Sequence, residues 1–397
     1  MNKKLIALAL AGAFAAPAAF AADSEVTIYG QLNGSIDNVN NGNGATAATQ
    51  GIRTTIINSN SSRLGLKGSE NLGDGLSAIW QIESSVNFAG NNQGGTTGVT
   101  TAGGATKNTF ASRDSFVGLS SGSMGTVLVG RHDTPYKMAT RGFDVFADNI
   151  ADNRSLMGNG AIQFDGRQGS VLAYVTPAMS GFTGVAAYVA GAEAATVSTQ
   201  TKGSAWSLAG IYGDGPLNAS IAYEVHNVGT LGTGIAGIGA AAGSFAAVSS
   251  KETAWKIGAG YTFDAFTING VYERTNDNIG GAGAPANCTA VGSNCLGHNA
   301  YYLAGKYAFG SDAVKLAYTK VGNNNTVAAG GTGAKQWAIG YDHSLSKHTT
   351  VYALYTSLKN DVNSSMTLVG GADVTVAPNG GFGSTLSALS LGLKHSF

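Results

Sequence analysis

The segment Ala388-Leu389-Ser390-Leu391-Gly392-Leu393-Lys394-His395-Ser396-Phe397 alternates strictly: odd positions are apolar or amphipathic, even positions small or charged. That is the two-residue period of a strand with one apolar face and one wet face. Working back along the chain, the pattern recurs. Val26, Ile28, Gly30 and Leu32 alternate with Thr27, Tyr29, Gln31 and Asn33, and Leu76, Ala78, Trp80 and Ile82 with Ser77, Gln81 and Glu83. Further runs cover 206–212, 221–225, 255–263, 266–272, 301–309, 314–318, 337–341 and 352–358, with aromatic residues often near their ends. A chain made almost wholly of amphipathic strands reads as a transmembrane β-barrel, with aromatic girdles at the two membrane interfaces.

The connections alternate in length. Short turns rich in Gly, Asp, Pro and Ser lie at 71–75, 121–125, 178–181, 213–216, 264–265, 310–312 and 346–348. Long Gly/Asn/Thr/Ala-rich stretches lie at 40–51, 89–109, 228–250, 275–298, 322–334 and 360–384. Short on one side and long on the other predicts periplasmic turns and external loops. The spacing predicts about sixteen antiparallel strands, an even number with both termini on the turn side, and a barrel this wide leaves an aqueous lumen.

The first residues fit an export signal. Lys3 and Lys4 precede an apolar run at 5–14, Pro17 breaks it, and Ala19-Phe20-Ala21 offers a small-x-small cleavage site. The expected division is a signal at 1–21 and a barrel domain at 22–397; the alternative is an uncleaved membrane anchor. Without Lys3 and Lys4, 21 basic residues face 23 acidic ones, a formal charge of −2, so no basic excess exists to hold nucleic acid. Charged residues are 12% of the chain, about half the share of a soluble domain. Two cysteines, Cys288 and Cys295, sit in one long connection. Export supplies an oxidising compartment, so a small loop disulfide is expected; with only His298 nearby, a metal site lacks ligands.

Three stretches carry a family resemblance. They are Ser62-Arg63-Leu64-Gly65-Leu66-Lys67-Gly68-Ser69-Glu70-Asn71-Leu72-Gly73-Asp74-Gly75-Leu76, then 113–119 (RDSFVGL) with 125–131 (GTVLVGR), and the terminal Phe397. Together they resemble the general diffusion porins of Gram-negative bacteria, in particular the β-proteobacterial group of neisserial and Burkholderia type. The resemblance implies a sixteen-stranded barrel, a homotrimer in the outer membrane, and passive diffusion of ions and small hydrophilic solutes. It also implies a third external loop folded into the lumen, and a C-terminal aromatic, Phe397, read by the outer-membrane assembly machinery. Outer-membrane lipid and lipopolysaccharide are the other expected partners; no cofactor is expected.

The segment matching that loop is about 134–166, the one long connection rich in charged and bulky residues. Phe143, Val145 and Phe146 would have no reason to cluster in an external loop unless they pack on something, and the inner wall supplies it. Asp144, Asp148 and Asp152 are spaced by four and would share one face of a short helix. Opposite them, Leu64 and Leu66 facing lipid put Arg63 and Lys67 toward the lumen. Phe116 facing lipid puts Arg113 inside, and Arg131 lies at the rim. A basic wall of Arg63, Lys67, Arg113 and Arg131 facing an acidic loop of Asp144, Asp148 and Asp152 would set a transverse field across the pore. The same charges could instead simply keep a lumen wet. A Ca²⁺ site at the aspartates would need more oxygen ligands.

Catalysis finds little support, and no enzyme is expected. His132-Asp133 and Asp342-His343 are adjacent pairs that point to opposite faces in a strand. No serine sits in a nucleophile elbow, and the 330–335 stretch GGTGAK lacks the spacing of a phosphate loop. The leading reading is a general porin and the alternative a substrate-selective channel; a barrel enzyme lacks an acid/base cluster, and a soluble adhesin would not carry lipid-facing aromatic stripes. The cysteine reading gives a direct test: Cys288 and Cys295 in natively purified protein should resist alkylation until reductant is added, with little effect of reduction on barrel melting. Two freely alkylatable thiols would overturn it.

Overall fold

The computed structural model describes residues 24–42, 51–89, 99–100, 110–158, 164–190, 203–228, 250–277, 296–325, 330–369, 375–378 and 381–397. The expected signal and the cysteine pair, Cys288 with Cys295, lie outside these residues. Sixteen antiparallel strands close on themselves. They are β1 (Ser24–Asn40), β2 (Arg53–Ser59 continued by Arg63–Gly73), β3 (Leu76–Ser85), β4 (Ser115–Ser121), β5 (Gly125–Asp133), β6 (Arg167–Val175), β7 (Phe182–Ala190) and β8 (Ser204–Asp214). The second half comprises β9 (Leu217–Val228), β10 (Ser250–Phe263), β11 (Phe266–Asp277), β12 (Asn299–Phe309), β13 (Asp312–Val321), β14 (Ala334–Ser344), β15 (Thr349–Asn360) and β16 (Thr385–Ser396). The break in β2 is local: Ser61 has φ 52°, Asn60 N–H still donates to Asn33 O at 2.7 Å, and Asn33 N–H donates to Ser62 Oγ at 2.9 Å.

Closure rests on β1. It pairs with both halves of β2 on one edge and with β16 on the other, over Gln31–Ser396 to Asn40–Ser387. Phe397 adds the last rung, donating its N–H to Gly30 O at 3.1 Å and accepting from Gly30 N–H at 3.0 Å. All seven short connections fall on the side that carries the chain's described ends, and the long ones fall on the other. Asp74-Gly75 makes one of the two-residue turns among them, with φ 50° and 74°, the positive pair that a type I′ hairpin turn requires.

The alternation is visible in exposure. In β8, Trp206 and Leu208 are exposed while Ala205, Ser207 and Ala209 are buried. Two aromatic belts follow. On the turn side Phe263, Phe266, Tyr307 and Phe309 succeed one another at centroid distances of 5.4, 4.4 and 5.4 Å. On the loop side Trp255, Tyr272 and Tyr301 follow at 5.2 and 5.1 Å, and Trp337 meets Tyr355 at 5.3 Å. Phe116 departs from the sequence expectation. Its neighbours Val117 and Leu119 are the exposed residues of β4, and Phe116 lies on the inner side against His132 at 5.3 Å. Apolar chemistry alone sends a Phe to lipid, but the register of β3, β4 and β5 sets the face.

One inner-face device braces the closing seam. Tyr352 of β15 lies over Gly392 of β16, its cross-strand partner, and its hydroxyl donates to Asn33 Oδ1 of β1 at 2.9 Å and accepts from Asn60 Nδ2 at 3.1 Å. A Cβ on Gly392 would lie 2.2 Å from Cζ of the tyrosine and 2.3 Å from its hydroxyl oxygen, a collision. Gly392→Val should therefore displace Tyr352 and cost roughly 1–3 kcal/mol. The readout is the temperature at which the folded band is lost in heat-modifiability gels; an unchanged temperature would sink the bracing role.

Candidate functional site: the loop inside the barrel

The connection between β5 and β6 turns into the barrel rather than out of it. Thr134 caps helix α1 (Pro135–Arg141), accepting from Lys137 N–H, and Pro135 starts the helix where no N–H is needed. α1 packs on the inner wall at β8, β9 and β10, where Tyr136, Ala139 and Phe164 meet Ala209, Ala222 and Ala254. Small wall residues there leave room for the loop. Further along, Phe143 covers Gly258 and Gly260, and Phe146 covers Gly340 with the Lys315 ammonium 5.0 Å from its ring. The backbone is tied at each step. Asn269 Nδ2 donates to Phe143 O at 2.8 Å, Val145 N–H to Tyr302 Oη at 3.0 Å, and Asn33 Nδ2 to Asp148 O at 3.3 Å.

A buried ionic network holds the root of the loop. The Tyr136 hydroxyl donates to Glu273 Oε2 at 2.9 Å, and Gly158 N–H donates to Glu273 Oε1 at 2.8 Å. Lys256 pairs with Asp165, and its ammonium sits 4.0 Å from the Tyr136 ring. His226 lies between Glu224 and Glu252, 2.8 Å from each, with Phe164 stacked on its ring at 4.5 Å. None of Glu224, His226, Glu252, Lys256, Asp165 or Glu273 was singled out from sequence. Alternation could have found most of them, because Glu224 and His226 flank the outward Val225 and Lys256 flanks the outward Ile257.

The three loop aspartates do not share a helix face. Residues 142–152 run as turns, and Asp148 itself has φ 64°. Nor do all three face the wall. The side chains of Asp144 and Asp152 are 0% exposed and turned into the loop. Arg141 gathers them, with Nη2 2.6 Å from Asp152 Oδ2, Nη2 2.9 Å from Asp148 Oδ1 and Nη1 3.6 Å from Asp144 Oδ2. Arg154 adds a contact to Asp152 at 3.1 Å. Asp144 also accepts from Phe146 N–H, Asn153 N–H and the Tyr302 hydroxyl, so it organises the loop. Of the three, only Asp148 reaches the basic residues of the wall, 3.5 Å from Arg63 Nη1.

Burial pushes the Asp148 and Asp152 carboxyls up, but the arginines outweigh it and hold both well below the usual carboxylate range. At Asp144 burial wins, helped by the Asp152 charge, and its pKa is raised to about 6. Burial likewise draws the Lys137 ammonium down to about 8 against the pull of Asp133.

The four expected basic residues have partners of their own. Arg63 and Lys67 share the inner face of β2; Lys67 is exposed, 5.5 Å from the Tyr29 ring. Arg113 pairs with the inward Glu83, so it faces inward through the irregular chain before β4 and not by counting from Phe116. Arg131 donates to Ser112 O at 2.9 Å. Arg167, missed from sequence, joins Asp114 at 2.6 Å and Asp133 at 2.9 Å. Lys306 of β12 and Lys394 of β16 also take inward positions, and neither has an ion-pair partner among the described residues.

Comparison with known proteins agrees in every direction. The family model for the Gram-negative porin matches residues 7–363. The chain is 28% identical to the outer membrane porin protein 32 of Delftia acidovorans over 411 residues, covering 100% of both. It is 29% identical to an outer membrane porin protein of Bordetella pertussis, covering 91% of this chain and 95% of that one. The major outer membrane protein P.IA of Neisseria meningitidis is 35% identical over 48% of this chain and 47% of its own. Among solved structures, an anion-selective porin from Comamonas acidovorans superposes with a TM-score of 0.70 at 24% identity, over 94% of this chain and 100% of that one.

Two outcomes follow from the loop chemistry. Arg141→Ala strands three carboxylates around a buried gap and should cost about 3–5 kcal/mol of loop attachment. Faster proteolysis within 142–157 and a noisier channel would show it; a loop as protected as the wild type's would refute it. The second concerns pH. A carboxyl raised to about 6 stabilises the fold fully below its ordinary pKa of 3.8, and that contribution is lost as pH rises through 6. Loop protection against hydrogen exchange should therefore be greater at pH 5 than at pH 7.5, and Asp144→Asn should flatten the difference.

Proposed function

This chain belongs to the Gram-negative porin family, in its β-proteobacterial group, and from that membership we propose a specific pore: one narrowed between the 134–166 loop and a cationic wall, and selective for anions. The protein is an outer-membrane porin, a water-filled channel for passive diffusion of ions and small hydrophilic solutes. The observation that supports the narrower reading is the Arg63–Asp148 contact, where the inward loop meets the strand wall. Arg63, Lys67, Arg113 and Arg131 form the wall side, and Asp148 alone forms the loop side.

The sign follows from pairing. Asp144 and Asp152 are closed into the loop by Arg141 and Arg154, so they add little field across the lumen. Lys67, Lys306 and Lys394 remain on the inner wall without an ion-pair partner among the described residues. In a confined, low-dielectric passage such charges act on permeant ions with less screening than at an open surface. The solved porin of similar fold is described as anion-selective, the same sign.

A homotrimer is the assembly this reading takes. One outward sector, from β16 through β1 to β5, is mostly aliphatic: Leu389, Leu391, Ile28, Ile36, Val117 and Val129 are exposed there, and Trp80, Phe88 and Phe397 are scattered aromatics that form no belt. Girdle aromatics occupy β6 to β15 instead. A face without a girdle suits contact with another copy. The fold-neighbour OmpT of Vibrio cholerae has been solved in a trimer form.

Reversal potentials under a KCl gradient test the pore. Lys394→Glu and Arg63→Gln should each move the wild type's anion preference toward cations. Reversing a unit charge about 10 Å from the ion path is worth roughly 1–2 kcal/mol at an intermediate dielectric, a several-fold change in the permeability ratio. If both variants leave the reversal potential unmoved, these side chains do not line the narrow zone.

A further inference from the structure

We propose that the inner seam of the barrel holds one dehydrated alkali cation, coordinated by the side-chain oxygens of Asp37, Asn58 and Asn60. The site lies beneath the inward loop and does not depend on which ions the pore prefers.

Asp37 of β1 is 0% exposed and has no ion-pair partner among the described residues. Other buried acids of the interior are answered by cations: Asp152 by Arg141 and Arg154, Asp165 by Lys256, Glu224 and Glu252 by His226. Register shows why Asp37 differs. Ile56 of β2 stands opposite it on one side and Ser390 of β16 on the other. Lys394 of β16 is in register with Asn33, about 13 Å along β1. Only neutral groups bond to the carboxyl. Asn58 Nδ2 donates to Asp37 Oδ2 at 3.1 Å, and the Ser35 and Ser390 hydroxyls bear on the same group. Asp37 Oδ1 is closed to solvent without a hydrogen-bond partner among the described residues.

Two amide oxygens share that condition, Asn58 Oδ1 and Asn60 Oδ1, in residues no more than 1% exposed. The network fixes which amide atoms are the oxygens. A carboxylate only accepts, so Asn58 must present its NH₂ to Asp37. Asn33 Nδ2 donates to Asp148 O, so Asn33 Oδ1 is the atom that receives the Tyr352 hydroxyl hydrogen. The Tyr352 oxygen is then left to accept from Asn60 Nδ2 at 3.1 Å. Asn60 Nδ2 also donates to Ser35 Oγ at 2.8 Å, and Ser35 touches the Asp37 carboxyl. Asp37, Asn58 and Asn60 therefore belong to one hydrogen-bonded patch, with every described donor already turned elsewhere.

The patch is short of positive charge. A proton on Asp37 would neutralise the carboxylate but leave both amide oxygens without a donor, a costly state for buried polar atoms. One cation satisfies all three oxygens. An all-oxygen ligand set selects a hard ion. A single carboxylate balances a single positive charge, so a divalent ion would leave a net charge beside the apolar cluster that holds Val39, Ile150 and Leu354. The place also gives the ion work to do. Asn58 and Asn60 lie at the break in β2, where the backbone ladder to β1 is interrupted, and Asn33 holds the loop at Asp148 O just beyond. An ion bound to both strands fastens the seam at that gap.

The test follows thermal unfolding of the full chain in detergent by circular dichroism, in NaCl, KCl or N-methylglucamine chloride at matched ionic strength, with and without EDTA. The organic cation is too large to enter. The wild type should unfold several degrees higher in an alkali salt, with EDTA making no difference. Asp37→Asn should unfold at one temperature in all three salts. Asn58→Asp adds a second carboxylate and should give a Ca²⁺-dependent rise that the wild type lacks, a readout that stands even if D37N does not fold. Crystals soaked in thallium(I) acetate should show an anomalous peak in contact with Asp37, Asn58 and Asn60. Equal unfolding of the wild type in all three salts overturns the proposal. So does a rise abolished by EDTA, which would mark a divalent ion, and so does ordered water alone at the three oxygens.

Discussion

A hydrocarbon layer offers no water to backbone N–H and C=O groups, so a sheet crossing it must have no edge. Everything else in this molecule follows from how β1 meets that requirement. Its loop-side half pairs with β16 and the first part of β2, its turn-side half with the rest of β2, and Phe397 closes the final rung against Gly30. Once the sheet is closed, each strand residue has one of two fates, lipid or lumen. Side-chain chemistry is then assigned by parity. The exposed Leu389 and Leu391 and the buried Ser390 are three consecutive residues that show it.

Parity is also why so much could be read from the chain. The short and long connections, the strand number and the inward placement of Arg63 and Lys67 all follow from a two-residue count along regular strands. Reading fails where regularity stops. Phe116 was given a face by its apolar character, although the register with Gly130 and Gln81 determines it. Arg113 lies inside for a reason the count could not supply, its pairing with Glu83 across a stretch that is not yet strand. The aspartates at 144, 148 and 152 have the spacing of a helical period, but their backbone runs in turns fixed by Tyr302, Asn269 and Asn33. Those partners are more than a hundred residues away in sequence, or on the opposite side of the barrel, and local spacing contains no trace of them.

The inner wall answers the loop in kind. Where α1 and Phe143 rest, the wall supplies Ala209, Ala222, Ala254, Gly258 and Gly260, so bulk is moved from wall to loop without overfilling the lumen. Buried charges come with the same complementarity. Lys256 meets Asp165, Glu273 receives Tyr136 and Gly158, and His226 sits between two glutamates under Phe164. Removing one member of such a group leaves its partner charged and dry, which costs more than the pair contributes. The network therefore fixes where the loop lies more than it raises stability.

This internal pairing decides the electrostatics of the passage. The aspartates of the loop would seem to make the pore negative, yet a carboxylate in contact with a guanidinium presents a dipole to the lumen instead of a net charge. Arg141 and Arg154 convert Asp144 and Asp152 in this way. Asp148 is shared between Arg141 and Arg63, and so is compensated twice. Among the described residues, neither Lys394 nor Lys306 forms an ion pair. On the proposed reading, formal charge in the loop and field in the lumen have different signs, and the strand cations without an ion-pair partner among the described residues set the latter.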